Sequence, residues 1–133
     1  MRVLLAVSQS VDAHRNELLR CVAILHDTVE RAKLTPAKLK KNGMPKSVVR
    51  AVILLTHDPA VTYADYIIRL KRDPLARAVK IADLLDNADL RRVTFRPARN
   101  KDRKRVIRYA ASYKFLTGQI DEKSYQRIMK HGE

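Results

Sequence analysis

The sequence predicts an all-α, single-domain helical bundle of about six to seven helices. Three observations carry this: apolar residues recur at helical spacing, capping and breaking residues divide the chain at short intervals, and no stretch alternates as a half-buried strand. At 133 residues the chain has the size of one domain, long enough to enclose a core without covalent staples. No internal repeat or low-complexity tract argues for a second unit, so one domain over 1–133 is the expectation.

The elements run in order along the chain. A short apolar segment, 2–8, precedes Asp12, which is placed to cap a helix from about Ala13 to Arg31 with Leu18, Leu19, Val22, Leu25 and Val29 on its apolar side. In "LTPAKLKKNG" Thr35 is the cap, Pro36 stands in the first turn and Gly43 lies just past the end, which makes a short basic helix. The next helix starts at Pro45 in "MPKSVVRAVILLT", and "HDPAVT" at 57–62 breaks the pattern before "YADYIIRLKR" resumes it. Asp73 then caps, Pro74 takes the first helical position, and "LARAVKIADLLDNADL" runs to about Leu90. After "TFRPARN", a helix from about Lys101 to Thr117 stops at Gly118, and a last short one comes after Asp121.

Composition narrows the function classes. The single cysteine, Cys21, excludes an intrachain disulfide and fits a reducing compartment, so a cytoplasmic location is expected. The longest apolar runs, such as "AVILL" at 51–55, fall far short of the roughly 20 residues that span a bilayer. The N-terminal "MRVLLAVSQS" is too short in apolar content for a secretory signal and reads as part of the fold. There are 28 Lys and Arg against 14 Asp and Glu, a formal +14, which attracts polyanions such as nucleotides or nucleic acid without specifying which. From Arg91 to Arg108 nine of eighteen positions are basic, yet Phe95 is the one aromatic among them, so base-stacking platforms are poorly supported. Nucleic acid is a partner that charge permits and the rest of the sequence does not favour.

Against that background the acidic residues stand out. In "AILHDTVE" His26, Asp27 and Glu30 share or border one face of a helix that is otherwise apolar around Val22, Leu25 and Val29. In "KIADLLDNAD" Asp83, Asp86 and Asp89 recur every third residue near a helix C-terminus, where negative charge opposes the macrodipole by roughly 0.3–1 kcal/mol each. Two readings stay open on the residues themselves. In one, Asp86 and Asp89 face solvent and pair with Arg91, Arg92 or other bases while Asp83 caps or bonds a neighbour. In the other, His26, Asp27 and Asp83 meet around one divalent cation, and imidazole with carboxylates suits Mn, Fe or Zn better than Ca. The second His-Asp pair, His57 and Asp58, precedes Pro59 and has no carboxylate three or four residues on, so it reads as a loop with an Asp turn. His14 lies twelve residues, roughly 18 Å of helix, before His26 and cannot reach the same ion. His131 reads as exposed.

These motifs resemble the HD superfamily of metal-dependent phosphohydrolases, and most closely its RelA/SpoT-type (p)ppGpp hydrolase branch. The family carries a first His, then "ALLHDxxED", then "KLADRLHN"; here "AILHDTVER" and "KIADLLDN" stand in the last two places, and "YADYIIRLKRDPLARAVKIAD" resembles the approach to the third. The resemblance implies a helical bundle of the HD-domain type, His26, Asp27 and Asp83 as metal ligands, Glu30 as a catalytic carboxylate, and Asn87 in the catalytic and substrate site with Lys80 on the substrate. It further implies a divalent cofactor, Mn2+ first with Fe, Zn or Mg as others, and hydrolysis of a phosphate ester in a phosphorylated nucleotide. Three departures accompany it: Arg31 replaces the second acid of HDxxED, Asp86 replaces the His of "RLHN", and "MRVLLAV" resembles the segment just after the first His motif, so either the reading frame starts at an internal Met or the protein has three of the family's four ligands. Two alternatives remain: a catalytically weak or inactive relative that binds nucleotides or a protein, and a basic helical nucleic-acid-binding protein.

Overall fold

A computed structural model describes the backbone of residues 13–32, 35–87 and 100–131 and the side chains of 15–25, 35–86 and 103–131. Among the described residues there are seven helices and no strand: α1 (Ala13–Ala32), α2 (Pro36–Lys41), α3 (Lys46–Leu55), α4 (Tyr63–Lys71), α5 (Pro74–Asn87), α6 (Asn100–Leu116) and α7 (Glu122–His131). The fold class is all-α, as the periodicity predicts.

Local chemistry sets most boundaries. The Thr35 hydroxyl accepts from Lys38 N at 3.3 Å with Pro36 in the first turn of α2, and Gly43 beyond its end takes φ +80, a conformation that costs a residue with a Cβ. Thr62 caps α4 through Asp65 N at 3.2 Å. One Asp73 carboxylate oxygen accepts from Leu75 N and Ala76 N at 3.0 and 3.1 Å and opens α5, with Pro74 supplying a position that needs no donor. Gly118, at φ +79, closes α6, and Asp121 accepts from Ser124 N at 2.8 Å to start α7. The residues 88–90 of the expected α5 extension, and the segment 2–8 with Asp12, lie outside the described residues.

Helices α3 and α5 form the centre. α3 packs against α1, α2, α4 and α5, and α5 against α1, α3, α4 and α6; α4 also meets α6 and α7, and α6 meets α7. α3 presents Val48, Val49, Ala51, Val52 and Leu55, the i, i+1, i+3, i+4, i+7 set of a helix buried on a broad face. Around it lie Leu19 and Val22 of α1, Ile67 and Leu70 of α4, and Val79 and Leu84 of α5, all buried. Each fully buried Val or Leu contributes about 1.5–3 kcal/mol, so α1 is fixed on α3 and α5 by its Leu19–Val22 stripe.

Polar contacts fix the far end. Ser112, fully buried, donates to the Arg108 carbonyl at 2.8 Å, so the Tyr125 hydroxyl, 2.8 Å away, must be the donor to Ser112 Oγ. The Tyr125 ring lies stacked on Phe115 at 4.7 Å, which clamps α7 onto α6. The loop between α3 and α4 is closed in the same manner. Asp58 accepts from Ala60 N at 2.9 Å in an Asp turn, and His57 Nε2–H donates to the Val61 carbonyl at 2.8 Å. The second His-Asp pair is therefore a loop device, as its Pro59 predicts.

Candidate functional site

Two packed helices carry the residues that the sequence singles out. His26, Asp27 and Glu30 belong to α1, within the two turns after the buried Val22; their side chains lie outside the described residues. Asp83 and Asn87 belong to α5, one turn apart, and the Asn87 side chain likewise lies outside them. α1 and α5 pack directly on one another. The backbone thus brings the His-Asp helix and the Asp83 helix into one layer, although 57 positions separate His26 from Asp83.

Asp83 is the best-described member. Its Oδ2 accepts from Lys80 Nζ at 3.0 Å, one helical turn earlier, with the lysine side chain 11% and the aspartate 26% exposed. A lysine is rarely so buried without a partner, and this one has more than the carboxylate. Its ammonium lies 5.4 Å from the Tyr66 ring centroid and 5.9 Å from that of Tyr63, both on α4. Burial by itself pulls the ammonium towards neutrality; Tyr63, Tyr66 and Asp83 outweigh it and hold the pKa above the ordinary lysine value. The cation assigned to substrate from the KIAD motif is thus a buried one that touches Asp83.

The tyrosines extend the site. Tyr63 and Tyr66 are 5.7 Å apart between centroids, Tyr109 of α6 lies 6.5 Å from Tyr63, and the Arg108 guanidinium sits over Tyr63 at 5.5 Å. Tyr66 donates its hydroxyl to the Leu55 carbonyl at 2.7 Å, and His57 stacks on its ring at 4.8 Å. Burial raises the Tyr63 phenol to about 12, with Lys80 opposing. Sequence reasoning passed over this cluster. The signal was the i, i+3 pair of tyrosines in "YADY", which puts two rings on one face of α4.

Asp86 is half-buried with one carboxylate oxygen shielded from solvent, so it does not stand on an open face as the solvated reading has it. Asp89, Arg91 and Arg92 lie outside the described residues. No group of three His, Cys, Asp or Glu side chains converges among the described residues, a set that does not include His26 and Asp27. A separate concavity of about 410 Å³ is walled by Leu39, Val52, Leu54, Val61 and Tyr66, with Asp58 and Arg69 also lining it; it shares Tyr66 with the cluster but neither Lys80 nor Asp83 lines it.

No protein-family model matches the sequence, and no curated protein matches it. No described helix is long and apolar enough to cross a membrane.

Proposed function

We propose that the chain is a metal-dependent phosphohydrolase acting on a phosphate ester of a nucleotide, of the (p)ppGpp pyrophosphohydrolase kind. The observation that supports it most is the packing of α1 on α5, which juxtaposes the helix bearing His26, Asp27 and Glu30 with the helix bearing Asp83 and Asn87. The donor set suits a divalent cation: one imidazole and two carboxylates match Mn2+, Fe or Zn, with Mg2+ a harder fourth. When bound, the ion would supply Lewis-acid stabilisation of phosphoryl charge and a water acidic enough to ionise near neutral pH. His26, Asp27 and Asp83 are the residues that would hold it.

The chain's own groups divide the remaining work. Lys80, anchored between Tyr63 and Tyr66, fixes Oδ2 of Asp83 at 3.0 Å and balances its charge, so the carboxylate is oriented before anything binds. Glu30, one turn beyond Asp27, takes the proton of the attacking water, and Asn87, one turn beyond Asp83, hydrogen-bonds the substrate. The net +14 raises the local concentration of an anionic substrate.

A second reading is favoured by one contact. Lys80 already satisfies part of Asp83 from within α5, which is what an inactive relative binding nucleotide without turnover would retain. Incubation with Mn2+ and guanosine tetraphosphate, alongside a nucleotide panel, separates the two. The hydrolase reading expects phosphate release that disappears in Asp83→Ala and His26→Ala. Turnover that survives Asp83→Ala removes the proposed site, and binding without turnover under any of the four metals leaves the inactive relative.

A further inference from the structure

Two hydrogen-bond donors around the Tyr63 ring are unspent. The Tyr63 hydroxyl is shielded from solvent and has no partner among the described residues. Buried hydroxyls are ordinarily bonded, so an orphan calls for a partner that the described residues do not supply. Beside it Arg108, half-buried on α6, lays its guanidinium 5.5 Å from the Tyr63 ring centroid and pairs with no carboxylate among the described residues. The stacking matters because it holds the planar fork in place before a ligand arrives, and a held fork presents several N–H donors in fixed directions.

Their surroundings specify the sign of the missing partner. Lys80 adds a second positive group 5.9 Å from the same ring, with its charge balanced by Asp83. One turn earlier on α6, Arg103, Lys104 and Arg105 are all exposed, so the approach to Arg108 is basic as well. Neither the Tyr63 hydroxyl nor the Arg108 guanidinium has an acceptor among the described residues. A phosphoryl group brings several acceptor oxygens, suits bidentate binding by arginine, and leaves an oxygen for a phenol.

We infer that Arg108 and the Tyr63 hydroxyl form a phosphate-binding subsite next to the Lys80–Asp83 pair. The subsite rests on the phosphohydrolase reading only for the identity of the molecule that carries the phosphate. On that reading it holds a phosphoryl group of the nucleotide while another is presented to Asp83, and Arg108 is a substrate-binding residue that the sequence motifs do not include. Its existence as an anion site stands on the two donors alone.

Inorganic pyrophosphate is the probe, titrated calorimetrically into the full chain with metal removed by EDTA, at about 0.1 M salt where distant charges are screened. Saturable one-to-one binding is expected for the wild type. Tyr63→Phe deletes one oxygen and keeps the ring, and should weaken binding at least threefold with its thermal transition intact. Arg108→Met should weaken it tenfold or more. Arg105→Met, exposed on the same helix, should stay within twofold. The inference is overturned by unsaturable wild-type binding, by Tyr63→Phe and Arg108→Met titrating as the wild type does, by Arg105→Met losing as much as Arg108→Met, or by acetate binding as tightly as pyrophosphate. Since metal and turnover play no part, loss of hydrolysis with the titration intact removes the phosphohydrolase reading alone, and the converse removes the subsite alone.

Discussion

Replacing Lys80 by Met tests whether the buried cation organises Asp83. At 3.0 Å and an effective dielectric of about 20, the raw attraction is roughly 5 kcal/mol, most of it offset by stripping water from an ammonium that is 11% exposed. Removing one partner of a fully buried pair costs about 3–5 kcal/mol. Asp83 keeps 26% exposure, so water reaches its carboxylate and the loss should be smaller, about 2 kcal/mol. The tyrosine faces at 5.4 and 5.9 Å add roughly 0.5–1 kcal/mol that a thioether only partly replaces. Urea unfolding at pH 7 should therefore show Lys80→Met less stable by about 2–3 kcal/mol. Adding Asp83→Asn in that background should recover part of it, giving a coupling of at least about 1 kcal/mol in the double-mutant cycle. A single variant within about 0.5 kcal/mol of the wild type, or a cycle that sums to zero, would refute the idea that the pair is a fixed part of the site.

Other consequences are as direct. The Tyr63 phenol is raised from 10.0 to about 12, and Tyr125 and Lys80 are raised as well, so the folded chain binds more protons than the unfolded one above pH 10. Their stabilisation is complete below about pH 10 and is lost as pH climbs through 12; by about 1.36 kcal/mol per pH unit, Tyr63 accounts for roughly 2–3 kcal/mol. Thermal melts across that range should fall, and should fall less in Tyr63→Phe; parallel slopes would contradict the assignment. Tyr125→Phe keeps the stack on Phe115 and deletes one donor, while Ser112 still bonds the Arg108 carbonyl, so chemical unfolding should show a loss of about 1 kcal/mol, and none if the hydroxyl pair is not formed. Gly118→Ala should cost about 1 kcal/mol from φ +79 alone, since the added methyl meets nothing within 4 Å; an unchanged midpoint would mean that the α6 terminus relaxes.

Much of the fold is legible because its punctuation is local. Thr35 with Pro36, Asp73 with Pro74, and Gly118 each act within four residues, and each is where the sequence puts it. The Asp58 turn is readable for the same reason. The surroundings of Lys80 are not. A lysine three residues before an aspartate reads as a surface pair, and what buries it is Tyr63 and Tyr66, seventeen and fourteen positions away on a different helix. The Asp83 contact is internal to α5, whereas the two aromatic faces come from α4. The half-burial of Asp86 escapes a reading based on charge for that reason too, since it depends on tertiary packing and not on spacing.

The central claim is that one divalent cation is gathered by His26, Asp27 and Asp83. Mn2+ titration monitored by electron paramagnetic resonance addresses it with no substrate present. The claim predicts one strong site per chain in the wild type and its loss in each of His26→Ala, Asp27→Ala and Asp83→Ala, with each variant still helical by circular dichroism. A wild-type protein whose Mn2+ signal stays that of the free ion, or three variants that bind as the wild type does, would contradict it.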